Sequence, residues 1–245
     1  LARGAPTWRN GAVQIAGGKG VGQLRRIRSI EGSRVELVEP WDIVPDAASV
    51  INISSFRRRF IYTQNRAYDS SVALQLYGSM IEGIMADNET ARTGGYNGDA
   101  MAGEASWFNQ FLRNRITVGN QYRGPRNEVP PIDAQLGLLA YGSGTGDYKY
   151  PLVRSCVVRN NRLESNAKLN VMGWVEDSLL EGNEICNADT GVTISAAARN
   201  IILRNNTFEN VVRRYAYDPQ SVALSPGEEL LAGLGDVRTA LSPAE

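Results

Sequence analysis

The chain has 245 residues, and its 26 basic side chains are balanced by 26 acidic ones. No net field therefore steers it to nucleic acid or to an anionic membrane surface. Histidine is absent, which excludes Ser-His-Asp triads, Cys-His dyads and His-ligated zinc in one step.

Catalysis in such a chain falls to Asp, Glu, Arg, Lys or Tyr, or to a cation held through oxygen. Cys156 and Cys186 have no metal-ligand spacing, so two buried free thiols are expected. No apolar run reaches 18 residues, which predicts no membrane insertion. The chain opens at Leu1 without a signal-like segment, as a processed or excised piece would.

Residues 1–48 read as short strands broken by Gly and Pro turns, a β-hairpin element ahead of the repetitive part of the chain. The run GGKGVG lacks the Lys-Ser/Thr of a phosphate loop and opens no helix, so it predicts a hairpin turn.

From residue 49 to 217 a repeat governs the chain. Asn65, Asn88, Asn114, Asn161, Asn183 and Asn206 follow one another at gaps of 23, 26, 47, 22 and 23 residues. Three residues before each stands an apolar side chain: Tyr62, Met85, Phe111, Val158, Leu180 or Leu203. A second apolar strand ends in a small residue (Gly78, Gly173, Ala196) ten positions ahead of the next Asn.

A unit of about 23 residues is too short for two packed helices, and its strands are β-branched. Stacked coils with parallel strands are therefore predicted, the apolar positions pointing inward. Asn suits the turn because it tolerates left-handed backbone and its amide can bond the Asn of the next coil.

On these asparagines and this coil length, residues 49–212 resemble the pectate-lyase-like superfamily. The resemblance implies an all-β, single-stranded, right-handed parallel β-helix, and a secreted, extracellular or cell-surface location. The signatures of the well-known pectin lyases and polygalacturonases are missing, so it implies fold and not activity.

Three insertions interrupt the coils, at 91–105, 119–134 and 143–150. They are expected as loops walling one groove. Residues 218–245 carry a cap at Ser225, Pro226 and apolar residues at helical spacing, which predicts a short helical or irregular cap over the open end.

The loops suggest a carbohydrate-active protein, because aromatic rings stack on sugar faces while charged groups bond hydroxyls or a uronate. Catalytic candidates are Asp87, Asp99, Glu104, Arg113, Arg115 and Asp133. Tyr96, Trp107, Tyr122, Arg123, Tyr148 and Lys149 are candidates for binding substrate. A hydrolase would use two carboxylates. A lyase would pair a base such as Arg115 or Lys149 with Ca²⁺ or Arg at the uronate, and no other cofactor is expected. The alternative is a non-catalytic glycan-binding or adhesion module, or a tailspike-like segment. The partner in each case is a polysaccharide or glycan. A monomer is expected, or a trimer for a tailspike.

Overall fold

The computed structural model describes residues 11–100, 104–120, 133–141, 150–195 and 197–217. The strand-rich stretch at the start folds as a four-stranded antiparallel sheet. Its strands are Ala12–Gly17, Leu24–Glu31, Arg34–Leu37 and Val50–Ser54, with the first lying between the second and the fourth. The GGKGVG run is the hairpin turn between the first two.

Beyond it the strands pair in parallel with partners one repeat away. One circuit runs through Ile84–Ala86, Glu89–Ala91, Gly95–Ala100 and Ser106–Trp107. The next runs through Gln110–Leu112, Arg115–Thr117, Gln135–Ala140 and Val153–Arg154, each pairing with its counterpart in the circuit before. An eight-stranded and a ten-stranded parallel sheet result, curled about a shared core. The architecture is all-β, with no helix among the described residues.

The core follows the phase of the sequence. Tyr62, Met85, Phe111, Val158, Leu180 and Leu203 stand in register across six strands, and the last five are at most 4% exposed. Ala67, Thr90, Ile116, Leu163, Ile185 and Phe208 form a second row. The expected inward stack is present.

The asparagine ladder is present too. From Asn65 to Asn183, each Nδ2 donates to Oδ1 of the following ladder Asn at 2.9–3.1 Å. The same Oδ1 accepts the backbone N–H of the preceding Asn. From Asn88 onward, Nδ2 also bonds a core-row carbonyl of the coil before, Tyr62 through Leu180. Each buried amide thereby satisfies groups a turn would leave bare.

The left-handed residue at this turn is not the ladder Asn itself. It is the residue before it: Gln64, Asp87, Arg113, Asn160, Gly182 and Asn205, at φ 53–63°. Two further corners repeat in every coil. Arg59, Glu82, Phe108, Ser155, Asp177 and Asn200 lie six residues before the ladder Asn. Asp69, Arg92, Val118, Ser165, Asn187 and Asn210 lie four after it. The coil turns at three left-handed corners five residues apart, leaving the ladder Asn free to use its side chain.

A β-branched residue in this region is strained. Val118 adopts φ 50°. Val118→Gly should therefore stabilise the fold by about 0.5–1 kcal/mol, after allowing for glycine's greater chain entropy. Urea unfolding would show it as a higher midpoint, and a lower one would mean that side-chain packing outweighs the strain.

Gly95–Ala100, expected as part of an inserted loop, is a strand paired on both sides. Its glycines serve packing: a Cβ on Gly98 would lie 3.2 Å from the Phe111 ring. Gly78 and Gly173 do turn the chain at positive φ, and a Cβ on Gly173 would sit 2.0 Å from the Ala140 carbonyl oxygen. Ala196, most of the second and third insertions, and the tail 218–245 lie outside the described residues. Both cysteines are free and buried, as expected.

Candidate functional site

Side chains alternate along the longer strands of the ten-stranded sheet. Tyr96, Leu136, Leu169 and Val192 enter the core in one row, and Leu76, Leu138, Val171 and Ile194 in another. The position between them faces outward. There Gln75, Asn97, Gly137, Asn170 and Thr193 stand in register on five neighbouring strands.

This outer row is polar and hydrogen-bonded in one direction. Thr193 Oγ1 donates to Asn170 Oδ1 at 2.7 Å, and Asn170 Nδ2 to Gln135 Oε1 at 2.8 Å. Gln135 Nε2 donates to Asn97 Oδ1 at 3.0 Å. Gly137 makes the last contact feasible, because a Cβ there would lie 2.9 Å from Asn97 Oδ1. Such a chain polarises each member toward its end, the Asn97 amide.

Two hollows open over this row. One, of about 430 Å³, is lined by Ser71, Asn97, Asp133, Gln135, Lys168 and Asn170 among others. The other, of about 260 Å³, is lined by Asn170, Thr193, Ser195 and Tyr217 among others. They share Asn170, and their linings together cross the strands from Gly95–Ala100 to Thr207–Tyr217, a stretch of surface we term the trough. Four strand spacings of ~4.8 Å make it about 19 Å long.

Beside the row lies Asp99, also outward in register but fully buried. Its Oδ2 accepts a hydrogen bond from Gln75 Nε2, while its Oδ1 has no partner. Burial raises the carboxyl from 3.8 to about 6, and the Gln75 amide works against that shift. The native state thus holds this proton more tightly than the unfolded chain. The stability contribution is complete below about pH 4 and is lost as pH rises through about 6.

Asp99→Asn, which keeps an acceptor for Gln75, should remove that slope. Above pH 6 it should add on the order of 2–3 kcal/mol. The acids at ion pairs, such as Asp87 and Glu164, are shifted downward and act only in more acidic solution. Melts across pH 4–7 read the difference, and an unchanged slope would show that Asp99 does not titrate there.

The other expected residues are dispersed. Asp87 and Arg113 are corner residues of adjacent coils and pair bidentately at 2.7 Å. Arg113 holds the Asp87 carboxyl below the usual range. Arg115 lies on the outer face of a short strand, bonded to Glu164 at 3.2 Å and facing Glu89 at 3.7 Å. Asp133 is in the trough, 4.0 Å from Lys168 Nζ.

Glu104 packs against Gly78 and accepts from Ser54 Oγ at 3.5 Å. Tyr96 is in the core. Trp107 is buried, bonding the Pro151 carbonyl and joining Ala16 of the N-terminal sheet in a small second cluster. Tyr122, Arg123, Tyr148 and Lys149 lie outside the described residues. The structure therefore brings Asp133 into the trough, sets Asp99 beside it, and places Asp87, Arg113 and Arg115 on other faces of the coil.

Gln75, Asn97, Gln135, Asn170 and Thr193 were missed by sequence reasoning. Their signal is alternation: Gln75, Asn97, Asn170 and Thr193 each come nine or ten residues after a ladder Asn.

Among the described residues no three acidic or thiol groups gather into a metal-binding cluster, and no helix is long and apolar enough to cross a membrane. No family model, curated protein or solved structure matches the chain.

Proposed function

We propose that the chain is a right-handed parallel β-helix of the pectate-lyase-like kind, acting outside the cell, that binds an extended glycan in the trough. Coil length and the asparagine ladder support the fold reading. One observation carries the function: a floor of amides and hydroxyls, aligned over successive strands and hydrogen-bonded from Thr193 through Asn170 and Gln135 to Asn97. Amides donate and accept at once, which suits the hydroxyls of a sugar chain. Tyr77, outward and 59% exposed beside the row, offers a ring face.

Calorimetry against a panel of soluble polysaccharides tests the reading. Asn97→Ala and Gln135→Ala should each weaken binding about tenfold, the effect of losing one well-made hydrogen bond. Arg204→Ala, which removes an ion pair to Glu181 away from the trough, should leave it unchanged. Binding that survives every trough substitution would move the site elsewhere.

Cleavage is the second reading, and Asp99 favours it. A carboxyl raised to about 6 with a free oxygen suits a general acid. Glu104 packs on Gly78, whose N–H bonds the Asp99 carbonyl, so it offers a second carboxylate for a two-carboxylate hydrolysis. Under this reading Asp99→Asn abolishes release of reducing ends while binding persists.

A further inference from the structure

We infer that the glycan is neutral and lies along the stack of coils, crossing the strands rather than following one. This rests on the trough being the binding site and specifies what it accepts.

The charge of the lining argues for neutrality. Among the described residues, its cation is Lys168, and that ammonium already faces the Asp133 carboxylate at 4.0 Å. Arg214, on the outermost strand, is itself engaged. Ser71, Asn97, Gln135, Asn170, Thr193 and Ser195 supply only neutral donors and acceptors. A uronate or sulfate in every sugar would need a cation at each strand step to replace its lost hydration. Asp99 beside the row, ionised above pH 6, would repel it further.

Direction comes from the row itself. From Gly95–Ala100 to Glu184–Ile194 a polar side chain stands on each of four strands, at ~4.8 Å: Asn97, Gln135 lying across Gly137, Asn170 and Thr193. That spacing is close to the length of one pyranose in an extended chain, so consecutive sugars meet equivalent amides. Along a single strand, outward positions repeat less often, and leucine and methionine replace the polar groups: Leu139 and Met172 come after Gly137 and Asn170. Over Gly137 the Gln135 side chain bridges Asn97 and Asn170, so the polar floor continues across that strand.

The experiment is affinity electrophoresis of the whole chain in gels carrying neutral glucan, mannan or xylan, or polygalacturonate, alginate or a sulfated glycan. Each is run at low and high salt. We expect retardation by at least one neutral polymer, undiminished by salt because no ion pair forms. Asn97→Ala and Asn170→Ala should each reduce it about tenfold. Gly137→Leu, whose side chain would displace the Asn97–Gln135 contact and stand up in the path across the strands, should abolish it. Retardation confined to the acidic polymers and lost in salt would overturn neutrality while leaving glycan binding in place. No retardation by any polymer would overturn the binding reading and this inference with it. Neutral binding that tolerates Gly137→Leu would overturn the crossing direction alone.

Discussion

Asn161→Ala should destabilise the protein by roughly 3–4 kcal/mol. Asn161 is fully buried at the middle of the ladder. Its Oδ1 accepts both the backbone N–H and Nδ2 of Asn114, and its Nδ2 donates to Phe111 O and to Asn183 Oδ1. Truncation removes four hydrogen bonds: two N–H donors of Asn114 and the Phe111 carbonyl lose this partner, and Asn183 Oδ1 keeps only the backbone N–H of residue 161, each lost bond costing on the order of 1 kcal/mol. Asn161→Asp keeps the volume and both acceptor contacts but loses the donors and buries a charge, so it should be no better. Asn65→Ala, at the exposed end of the ladder, should cost under ~1 kcal/mol. Denaturant titration of the three variants reads the ranking. Equal losses at Asn65 and Asn161 would mean that burial does not set the ladder's strength.

Phe111→Ala should cost about 3–5 kcal/mol and lower Tm by roughly 10 °C. The ring is fully buried between Met85 and Val158, and the missing Cβ of Gly98 makes room for it. Phe111→Leu keeps most of the volume and should recover the greater part of the loss. If Phe111→Ala unfolded within 1 kcal/mol of the parent, the inward stack would have to be loose enough to collapse around the cavity.

The two positions show why the scaffold was legible. A buried ladder needs an amide once per coil, and an apolar residue must fall three places earlier, so both marks recur along the sequence. The corners were hidden because they are a backbone property. Gln64, Asp87, Arg113 and Gly182 share one conformation and no chemistry. In the site, charge misled. Asp87, Arg113 and Arg115 drew attention as charged residues, yet each is joined to an opposite charge one coil away. The trough is built from uncharged amides at ordinary alternating positions. These become visible only when the strands are laid side by side, as Asn97, Gly137 and Asn170 are. Gly95–Ala100 shows the same limit from the other side. Glycine count suggested a loop, whereas Gly98 is small because the Phe111 ring occupies the space its side chain would need.

The ladder's spacing also bears on how the chain assembles. Most of its steps join residues 22 to 26 apart, so each coil can close on its neighbour soon after that neighbour forms. The step from Asn114 to Asn161 spans 47 residues. Closing a loop twice as long costs only about 0.6 kcal/mol more in chain entropy. Two short zippers, Asn65 to Asn114 and Asn161 to Asn206, can therefore form independently and meet at that step. Length added between them slows the meeting very little, which leaves that interval free to vary in evolution while the order of coils stays the same.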